Sequence, residues 1–387
     1  MRPRTSEFEW RALIVLHLVF ALTGIVQAIG GSLLPSIAMR FRLADRESGL
    51  LFLLYFAGAS LGAILCRRNY ARILALSFLM MAGCCLGITL ATHPILPIAF
   101  FLFGISNGIP MSAVNLFAGR SFADRCAPML TFLNFSWSAG AFAAPLIAAR
   151  ILTRADYRPA YLLLAAMAAA ASLACALFLH DGPVAPRAPS PAAHHATTSI
   201  IVLFGFAAFL QVGIENTVVT WLASYIQRMA ITGAAHAAAT SSLYFAGFLG
   251  SRGASAVVLL RADASKILRA AVFTALSAAL LLFVLPTPTS RDAAMLVLGA
   301  ALAPIYPLLI ATFFARARHS SDARWILATA GLGGSVLPWL TGWVSSHAGN
   351  LRSGMFTIPT AIALLAFLLP AMRPRQSSSQ GVEAAAE

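Results

Sequence analysis

The sequence predicts an all-α membrane protein with twelve transmembrane helices, arranged as two six-helix parallel pseudo-repeats. Three observations predict this fold class: the composition is strongly apolar, the apolar residues form blocks of bilayer length, and the two halves share sequence. Of the 387 residues, 59% are hydrophobic and 10% are charged, against about 25% charged in an ordinary soluble domain. This composition excludes a water-soluble fold.

Each apolar block is long enough to cross the membrane, since about 20 helical residues span the ~30 Å hydrocarbon layer. The first block runs directly into Arg40 and Arg42 without a small-residue cleavage site, so we interpret it as a retained helix and not as a signal peptide. The predicted helices cover residues 12–37, 48–66, 73–91, 97–118, 129–151, 160–179, 200–225, 233–260, 267–285, 293–314, 325–347 and 355–371.

A polar, proline-rich segment at residues 180–199 divides the chain near its middle. Its composition is typical of a linker. We therefore expect an N-terminal six-helix bundle at residues 1–179, a cytoplasmic linker at residues 180–199, and a C-terminal six-helix bundle with a short cytoplasmic tail at residues 200–387.

The two halves repeat each other at matched positions. Residues 54–58 and residues 243–247 both read LYFAG, and the same offset aligns Gln27 with Asn216. Because six predicted helices separate the copies, both copies run in the same direction across the membrane. In carriers with such parallel repeats, the solute site lies between the halves near the bilayer midplane.

The net charge of +14 indicates orientation in a membrane and not contact with nucleic acid. Lys and Arg lie mainly between the apolar blocks, and they are more numerous on the side that carries both chain ends. By the positive-inside rule this side is the cytoplasm. We expect a multi-pass protein of the plasma membrane, the inner membrane in a bacterium, with both termini cytoplasmic.

Six motifs carry a resemblance to a known family. They are GGSLLPSI at residues 30–37, Asn115 with Arg120, LNFSWSAGAFAAP at 133–145, VGIENTVVTWLASY at 212–225, APIYP at 303–307 and GLGGSVLPWLTGW at 331–343. Together they cover essentially the whole chain, which resembles the major facilitator superfamily and, within it, the fucose-permease-like sugar transporters. The resemblance implies the major facilitator fold and secondary transport of a small-molecule solute, a sugar or polyol, by alternating access. We expect a monomer in the lipid bilayer.

One hallmark of that family is incomplete here. The loop after the second helix reads GAILCRRNYAR from Gly62, in which Arg67 is kept while Cys66 stands where the family has an acid. The family's proton-coupled sugar carriers also use acids in the N-terminal half, whose predicted helices contain none here. Either Glu215 of the C-terminal half carries coupling alone, or the protein is a uniporter, or its solute differs from the best-known sugars of the family. Arg67 and Arg120 are candidate gating or structural charges.

Glu215 is the one carboxylate among thirteen that lies inside an apolar block. An ionisable group at this depth is costly unless it faces a cavity or a partner, and such groups commonly mark solute or proton paths. Glu215 is therefore a candidate proton-coupling group or solute ligand, and the structural alternative is a buried acid with one fixed partner. Gln211 lies one turn earlier on the same helical face.

Arg252, in the eighth helix, is the other charge inside an apolar block. Pairing with Glu215 is one interpretation, but the two residues differ in depth along their helices by roughly 10 Å at 1.5 Å rise per residue. A gating or structural charge is the other interpretation.

Amide and aromatic side chains on several helices complete the candidate solute site. Amides both donate and accept hydrogen bonds, which suits a polyhydroxy solute, and flat aromatic rings can stack on a sugar. The alternatives are that the amides join helices to one another and that the aromatic rings face lipid. The candidates besides Gln211 are Gln27, Asn107, Asn115, Asn134, Asn216, Trp137, Trp221 and Tyr306.

Other functional classes lack their residues in this sequence. We find neither the clustered acids that hold a divalent metal in lipid-transfer enzymes nor a GxxxxGK[ST] nucleotide loop. We therefore expect no enzymatic activity, metal or cofactor. Within the transporter class, the alternative to a sugar carrier is an efflux carrier for drugs or other organic solutes.

Overall fold

The computed structural model describes residues 4–66, 69–121, 126–152, 156–180, 197–230, 232–258, 263–317 and 323–372. The N half contains α1 (Arg4–Phe41), α2 (Asp45–Leu65), α3 (Tyr70–Leu90), α4 (Leu96–Ser121), α5 (Cys126–Ile151) and α6 (Arg158–Phe178). The C half contains α7 (Thr198–Ala230), α8 (Ala234–Val258), α9 (Ala264–Val284), α10 (Pro288–Leu302), α11 (Ile305–Ala317), α12 (Ala323–Ala348), α13 (Leu351–Met355) and α14 (Thr357–Leu368), followed by a 3₁₀ turn (Leu369–Met372).

The helices confirm an all-α membrane protein. Within the described residues, ten helical stretches are long and apolar enough to cross a membrane, if α10 with α11 and α13 with α14 and the final turn are each taken as one crossing. The remaining two predicted crossings correspond to α8, with 25 residues, and α12, with 26 residues. Both pack among the other crossings, α8 against α10 and α5, and α12 against α7 and α2.

Two predicted helices are interrupted, which the hydropathy pattern did not predict. The tenth crossing breaks after Leu302 and resumes at Ile305, and the twelfth breaks at Phe356. Proline explains both breaks, because its ring clashes with the carbonyl four residues earlier and it has no N–H to donate. Pro307 disrupts the turn at Ala303, and Pro359 disrupts the turn at Met355.

Several helices are longer than predicted. The first begins at Arg4, not at residue 12, and the seventh continues to Ala230, not to residue 225. The apolar blocks mark the parts of a helix that suit hydrocarbon, whereas backbone hydrogen bonding continues into polar sequence. Most of the expected linker, residues 181–196, lies outside the described residues.

The sequence repeat corresponds to repeated helix packing. A Cβ atom on Gly58 of α2 would collide with the backbone oxygen of Phe101 in α4, and one on Gly247 of α8 would collide with that of Leu296 in α10. These two glycines are the last residues of the two LYFAG copies. Each copy therefore fixes the same kind of close helix contact in its own half.

A second matched pair of contacts holds α5 in the N half and α12 in the C half. Gly140 of α5 packs against the backbone of Ala21 in α1, and Gly333 of α12 packs against the backbone of Phe209 in α7. The halves meet mainly along three helix pairs, α1 with α7, α2 with α12 and α5 with α8, and more weakly between α1 and α8. Of the side chains described next, Gln27 with Asn216 and Ser138 with Arg252 lie at these junctions.

Candidate functional site

Glu215 lies near the middle of the 33-residue helix α7 and is partly buried. Its Oε1 accepts a hydrogen bond from Nε2 of Gln211 at 2.8 Å. The spacing of four residues places both side chains on one helix face. The carboxylate is thus held by a neutral amide on its own helix.

Gln211 connects Glu215 to the interruption of the tenth crossing. Its Nε2 also donates to the backbone oxygen of Leu302 at 3.2 Å, the last residue of α10. Gln211 is fully buried, and among the described residues its own Oε1 has no hydrogen-bond partner. Tyr306, just after the break, interacts electrostatically with Glu215. The acid therefore lies beside a broken helix, as in carriers whose sites use discontinuous helices.

Arg252 and Tyr244, both of α8, also interact electrostatically with Glu215. Glu215, Gln211, Tyr244, Arg252 and Tyr306 together are called the Glu215 cluster below. No ion pair joins Glu215 to Arg252 in the described part of the chain. The depth difference read from the sequence agrees with the missing direct contact, although the two charges remain close enough to interact.

The nearest partners of Arg252 come from α5 of the opposite half and from its own helix. Its Nη1 donates to the hydroxyl of Ser138 at 3.1 Å. The guanidinium carbon lies 5.4 Å from the ring centre of Trp137 and 4.7 Å from that of Phe248, distances typical of cation–π contacts. Trp137, a candidate for stacking on a solute, therefore lies against Arg252. Sequence reasoning missed Ser138, because nothing local distinguishes it from other serines in apolar helices.

Gln27 and Asn216, the amides aligned by the repeat, lie together at the junction of α1 and α7. Nε2 of Gln27 is 3.4 Å from Oδ1 of Asn216. Nδ2 of Asn216 donates to the backbone oxygen of Gly334 at 3.3 Å. Pro338 has no N–H for that oxygen, so the Asn216 amide supplies the missing donor.

Trp221 supports the same stretch of α12. It is fully buried, and its Nε1 donates to the backbone oxygen of Pro338 at 2.8 Å. In this conformation Trp221 and Asn216 hold α12 against α7.

The other candidate amides occupy different environments. Asn107 is fully buried and donates to the hydroxyl of Tyr55 at 2.9 Å. Asn115 is partly buried and donates to the backbone oxygen of Met111 at 2.7 Å. Asn134 is exposed one turn before Ser138, whose hydroxyl donates to its backbone oxygen at 2.9 Å. The structure thus brings Asn134 nearest to the surroundings of Arg252.

Two candidate charges cannot be placed. Arg67 lies outside the described residues, and the side chain of Arg120 lies outside the described part of α4. Their gating or structural role stays a prediction.

A charged network that the sequence did not predict joins the halves at one end of the bundle. Asp45 of α2 accepts from both terminal nitrogens of Arg228 in α7, one of them at 2.7 Å, and from the hydroxyl of Ser345 in α12 at 2.5 Å. Next to it, the backbone N–H of Arg46 donates to the hydroxyl of Ser346 at 2.8 Å. Asp45 and Arg228 are 183 residues apart, and no local pattern connects them.

A cavity of about 590 Å³ lies between α1 and α7 at this same end. Its lining includes Pro35, Met39, Ser48, Ser224, Gln227 and Arg228. Ser224 and Arg228 follow Glu215 on α7, about 14 Å and 20 Å along the helix at 1.5 Å rise per residue. The cavity and the network therefore lie nearer the end of α7 than the Glu215 cluster does.

The fold and the sequence together assign the family. The sequence model of the Major Facilitator Superfamily matches residues 16–324. The chain belongs to this superfamily. The twelve crossings and the parallel repeat are the major facilitator fold that the sequence motifs implied.

Relatives within and around the Major Facilitator Superfamily agree with this assignment. The chain is 26% identical over 382 residues to an uncharacterized transporter, y4wD, of Sinorhizobium fredii, which covers 92% of this chain and 96% of the relative. The fold of this chain is similar to that of a D-xylose–proton symporter, with a TM-score of 0.76 and 14% identity, over 95% of this chain and 98% of the symporter. A fucose:proton symporter of E. coli gives a TM-score of 0.63 and 16% identity over 94% and 98%. At these identities the structural similarity shows the fold.

Proposed function

We propose that this protein is a secondary transporter that carries a small polar solute, a sugar or sugar derivative, across the membrane by alternating access, with Glu215 as the proton-carrying group. The observation that carries the proposal is the position of Glu215, which is partly accessible at mid-length of α7 and bonded to an amide. An intramembrane acid in this position, without an ion-paired arginine, is free to exchange a proton.

A polar and not an apolar solute is supported by the residues around the acid. Tyr306 and Asn134 offer a hydroxyl and an amide near the junction of the halves, and the buried Gln211 amide orients Glu215 behind them. Neutral groups that both donate and accept hydrogen bonds suit the hydroxyls of a sugar. The proton-coupled sugar symporters with the same fold, named for xylose and fucose, favour the same solute class.

Alternating access is supported by the way in which the halves meet. We infer that residues 1–179 and 200–387 move as two bundles joined by the segment at 180–199, and that the protein works as a monomer in a bacterial inner membrane. With both termini cytoplasmic, the Asp45–Arg228–Ser345 network lies at the outer end and keeps it closed. Opening to the outside then requires this network to break.

The test is uptake of radiolabelled hexoses and 6-deoxyhexoses into proteoliposomes, with and without an inward proton gradient. In the wild type we expect accumulation driven by the gradient. In Glu215→Gln we expect accumulation to fall at least tenfold while exchange of labelled for unlabelled solute survives, because the amide cannot carry the proton.

Glu47→Gln is the matched control, since Glu47 is exposed and far along the chain from α7. It should accumulate solute like the wild type. Equal accumulation by wild type and Glu215→Gln would remove Glu215 as the coupling group, and exchange without accumulation in every variant would indicate a uniporter. Absence of any sugar flux would contradict a sugar as the solute and would favour drugs or other organic solutes.

A further inference from the structure

Arg252 is a cation between the halves whose hydrogen-bonding capacity is largely unused. Its Nε is buried and has no hydrogen-bond partner in the part of the chain that the structure describes. The hydrogen bond described for its terminal nitrogens goes to a neutral hydroxyl, that of Ser138. A guanidinium has five N–H donors in a planar fork, and the hydrogen bond described here uses one of them.

The surroundings of Arg252 do not neutralise its charge through contact. The aromatic rings of Trp137 and Phe248 lie against the guanidinium. None of the described carboxylates forms an ion pair with Arg252, since the ion pair that the described residues form joins Asp45 to Arg228. Removing a cation from water without a paired anion is unfavourable. Part of the Arg252 side chain is exposed, and its contacts with Trp137 and Ser138 place it where α8 meets α5 of the opposite half.

The chemistry of the fork defines the ligand. An arginine holds a carboxylate or a phosphate through two parallel N–H···O bonds, which a neutral sugar hydroxyl cannot reproduce. Flanking aromatic rings keep the guanidinium plane in place and offer a flat apolar face to a sugar ring. The amide and hydroxyl groups of the Glu215 cluster are then left for the hydroxyls of the same solute.

We propose that the solute is an anionic sugar, a sugar acid or sugar phosphate, whose charged group is bound by Arg252. This proposal rests on the proposed function and specifies its substrate class. Glu215 already interacts electrostatically with Arg252. A proton on Glu215 removes that negative neighbour, and the anionic group of the solute replaces it. Proton and solute therefore favour each other's binding.

Binding separates this proposal from neutral-sugar transport. Calorimetric titration of the purified wild type in nanodiscs would compare glucose with glucuronate and glucose 6-phosphate, which carry a carboxylate and a phosphate on the same ring. We expect at least one charged sugar to bind tenfold or more tightly than glucose. Which of the two binds identifies the anionic group.

Variants then assign the preference to Arg252. Arg252→Gln should bind charged and neutral sugars alike, and Arg252→Lys should keep part of the preference, because it retains the charge without the fork. Arg269→Gln is the matched control, since it removes an exposed arginine of α9. Elution as a single species in gel filtration establishes that each variant is folded.

The outcomes distinguish the two proposals. Wild-type binding of glucose as tight as that of both charged sugars, or equal loss of all three in Arg252→Gln, would overturn the anion site even if sugar uptake occurs. A charged-sugar preference that depends on Arg252 would support the anion site. This holds even if a proton gradient drives no flux, a result that would overturn only the coupling role of Glu215.

Discussion

Gln27 in α1 and Asn216 in α7 occupy matched positions of the sequence repeat, 189 residues apart, and their side chains meet across the two halves at 3.4 Å. In an assembly related by a two-fold axis, a residue that lies next to the axis faces its own counterpart. The contact therefore lies close to the pseudo-symmetry axis of the bundle. The two amides differ in their other contacts, and this difference makes the first prediction.

Asn216→Ala should destabilise the protein more than Gln27→Ala. The first change leaves the buried backbone oxygen of Gly334 without its donor, which costs about 1–3 kcal/mol. The second removes one long interhelical hydrogen bond, worth roughly 0.6 kcal/mol in membrane bundles. Thermal unfolding in detergent, followed by tryptophan fluorescence, measures both. Equal shifts would contradict the role assigned to Asn216.

Glycine contacts between helices should be sensitive to a single methyl group. Gly140→Ala and Gly333→Ala place a Cβ into the backbone of α1 and α7 respectively, so the helices must separate, at a cost of about 1–3 kcal/mol. Gly83→Ala is the control, because a Cβ there meets open space and alanine favours the helix by up to about 1 kcal/mol. Folded yield and melting temperature should fall in the first two variants and not in the third.

The Asp45 network should set the equilibrium between open and closed forms. Asp45→Asn weakens the contacts with Arg228, whose side chain is 48% exposed, and with Ser345. An ion pair with one partner in water contributes about 0.2–1 kcal/mol. The population open at this end should rise by roughly 1.4-fold to fivefold. Opening can be measured by the rate at which a maleimide labels a cysteine introduced by Ser224→Cys, since Ser224 lies in the wall of the nearby cavity.

Asp292→Asn is the control for charge, since it removes a carboxylate of α10 that has no hydrogen bond or ion pair with Asp45, Arg228 or Ser345 in the described residues. It should leave the labelling rate of Ser224→Cys unchanged. A labelling rate in Asp45→Asn no higher than in this control would mean that the network does not hold the end closed.

Gln211→Leu should impair coupling and stability together. Leucine has a similar size but leaves the backbone oxygen of Leu302 and Oε1 of Glu215 without the shared donor, at a cost of about 1–3 kcal/mol. We expect solute accumulation to fall at least tenfold. Gln227→Leu, the same change at the far end of α7, should have a small effect on solute accumulation and on the melting temperature.

Transport of a singly charged sugar with one proton should be electroneutral. If the anionic group replaces ionised Glu215 beside Arg252, no net charge crosses with the loaded carrier. Glucuronate uptake driven by a pH gradient should then be unchanged when valinomycin and potassium clamp the membrane potential. A change of more than about twofold would mean that the charges do not compensate.

Hydropathy predicted the number and order of the crossings because hydrocarbon selects composition over about 20 residues. It could not predict the breaks after Leu302 and at Phe356, since these depend on single prolines that other helices tolerate. Pro35, Pro110, Pro145 and Pro338 all remain inside continuous helices. Whether a proline breaks a helix depends on whether neighbours satisfy the freed backbone groups.

The candidate site was predictable where its contacts are local and not where they cross the bundle. Gln211 and Glu215 are one turn apart, and helical geometry places them side by side. The pairs Ser138 with Arg252 and Asp45 with Arg228 join the two halves. Such pairs depend on helix tilt and rotation, which packing sets and a single sequence does not display.

The bonds from α7 to α12 also constrain how the chain can be assembled. Asn216 and Trp221 donate to backbone oxygens 118 and 117 residues later in the chain. At ribosomal rates of about 5–20 residues per second, these acceptors are synthesised roughly 6–24 s after their donors. During that interval α7 is in or near the bilayer with both side chains lacking their final partners. The polar interior of the second bundle is therefore completed by its penultimate crossing, and a chain that stops before α12 should be a substrate for membrane quality control.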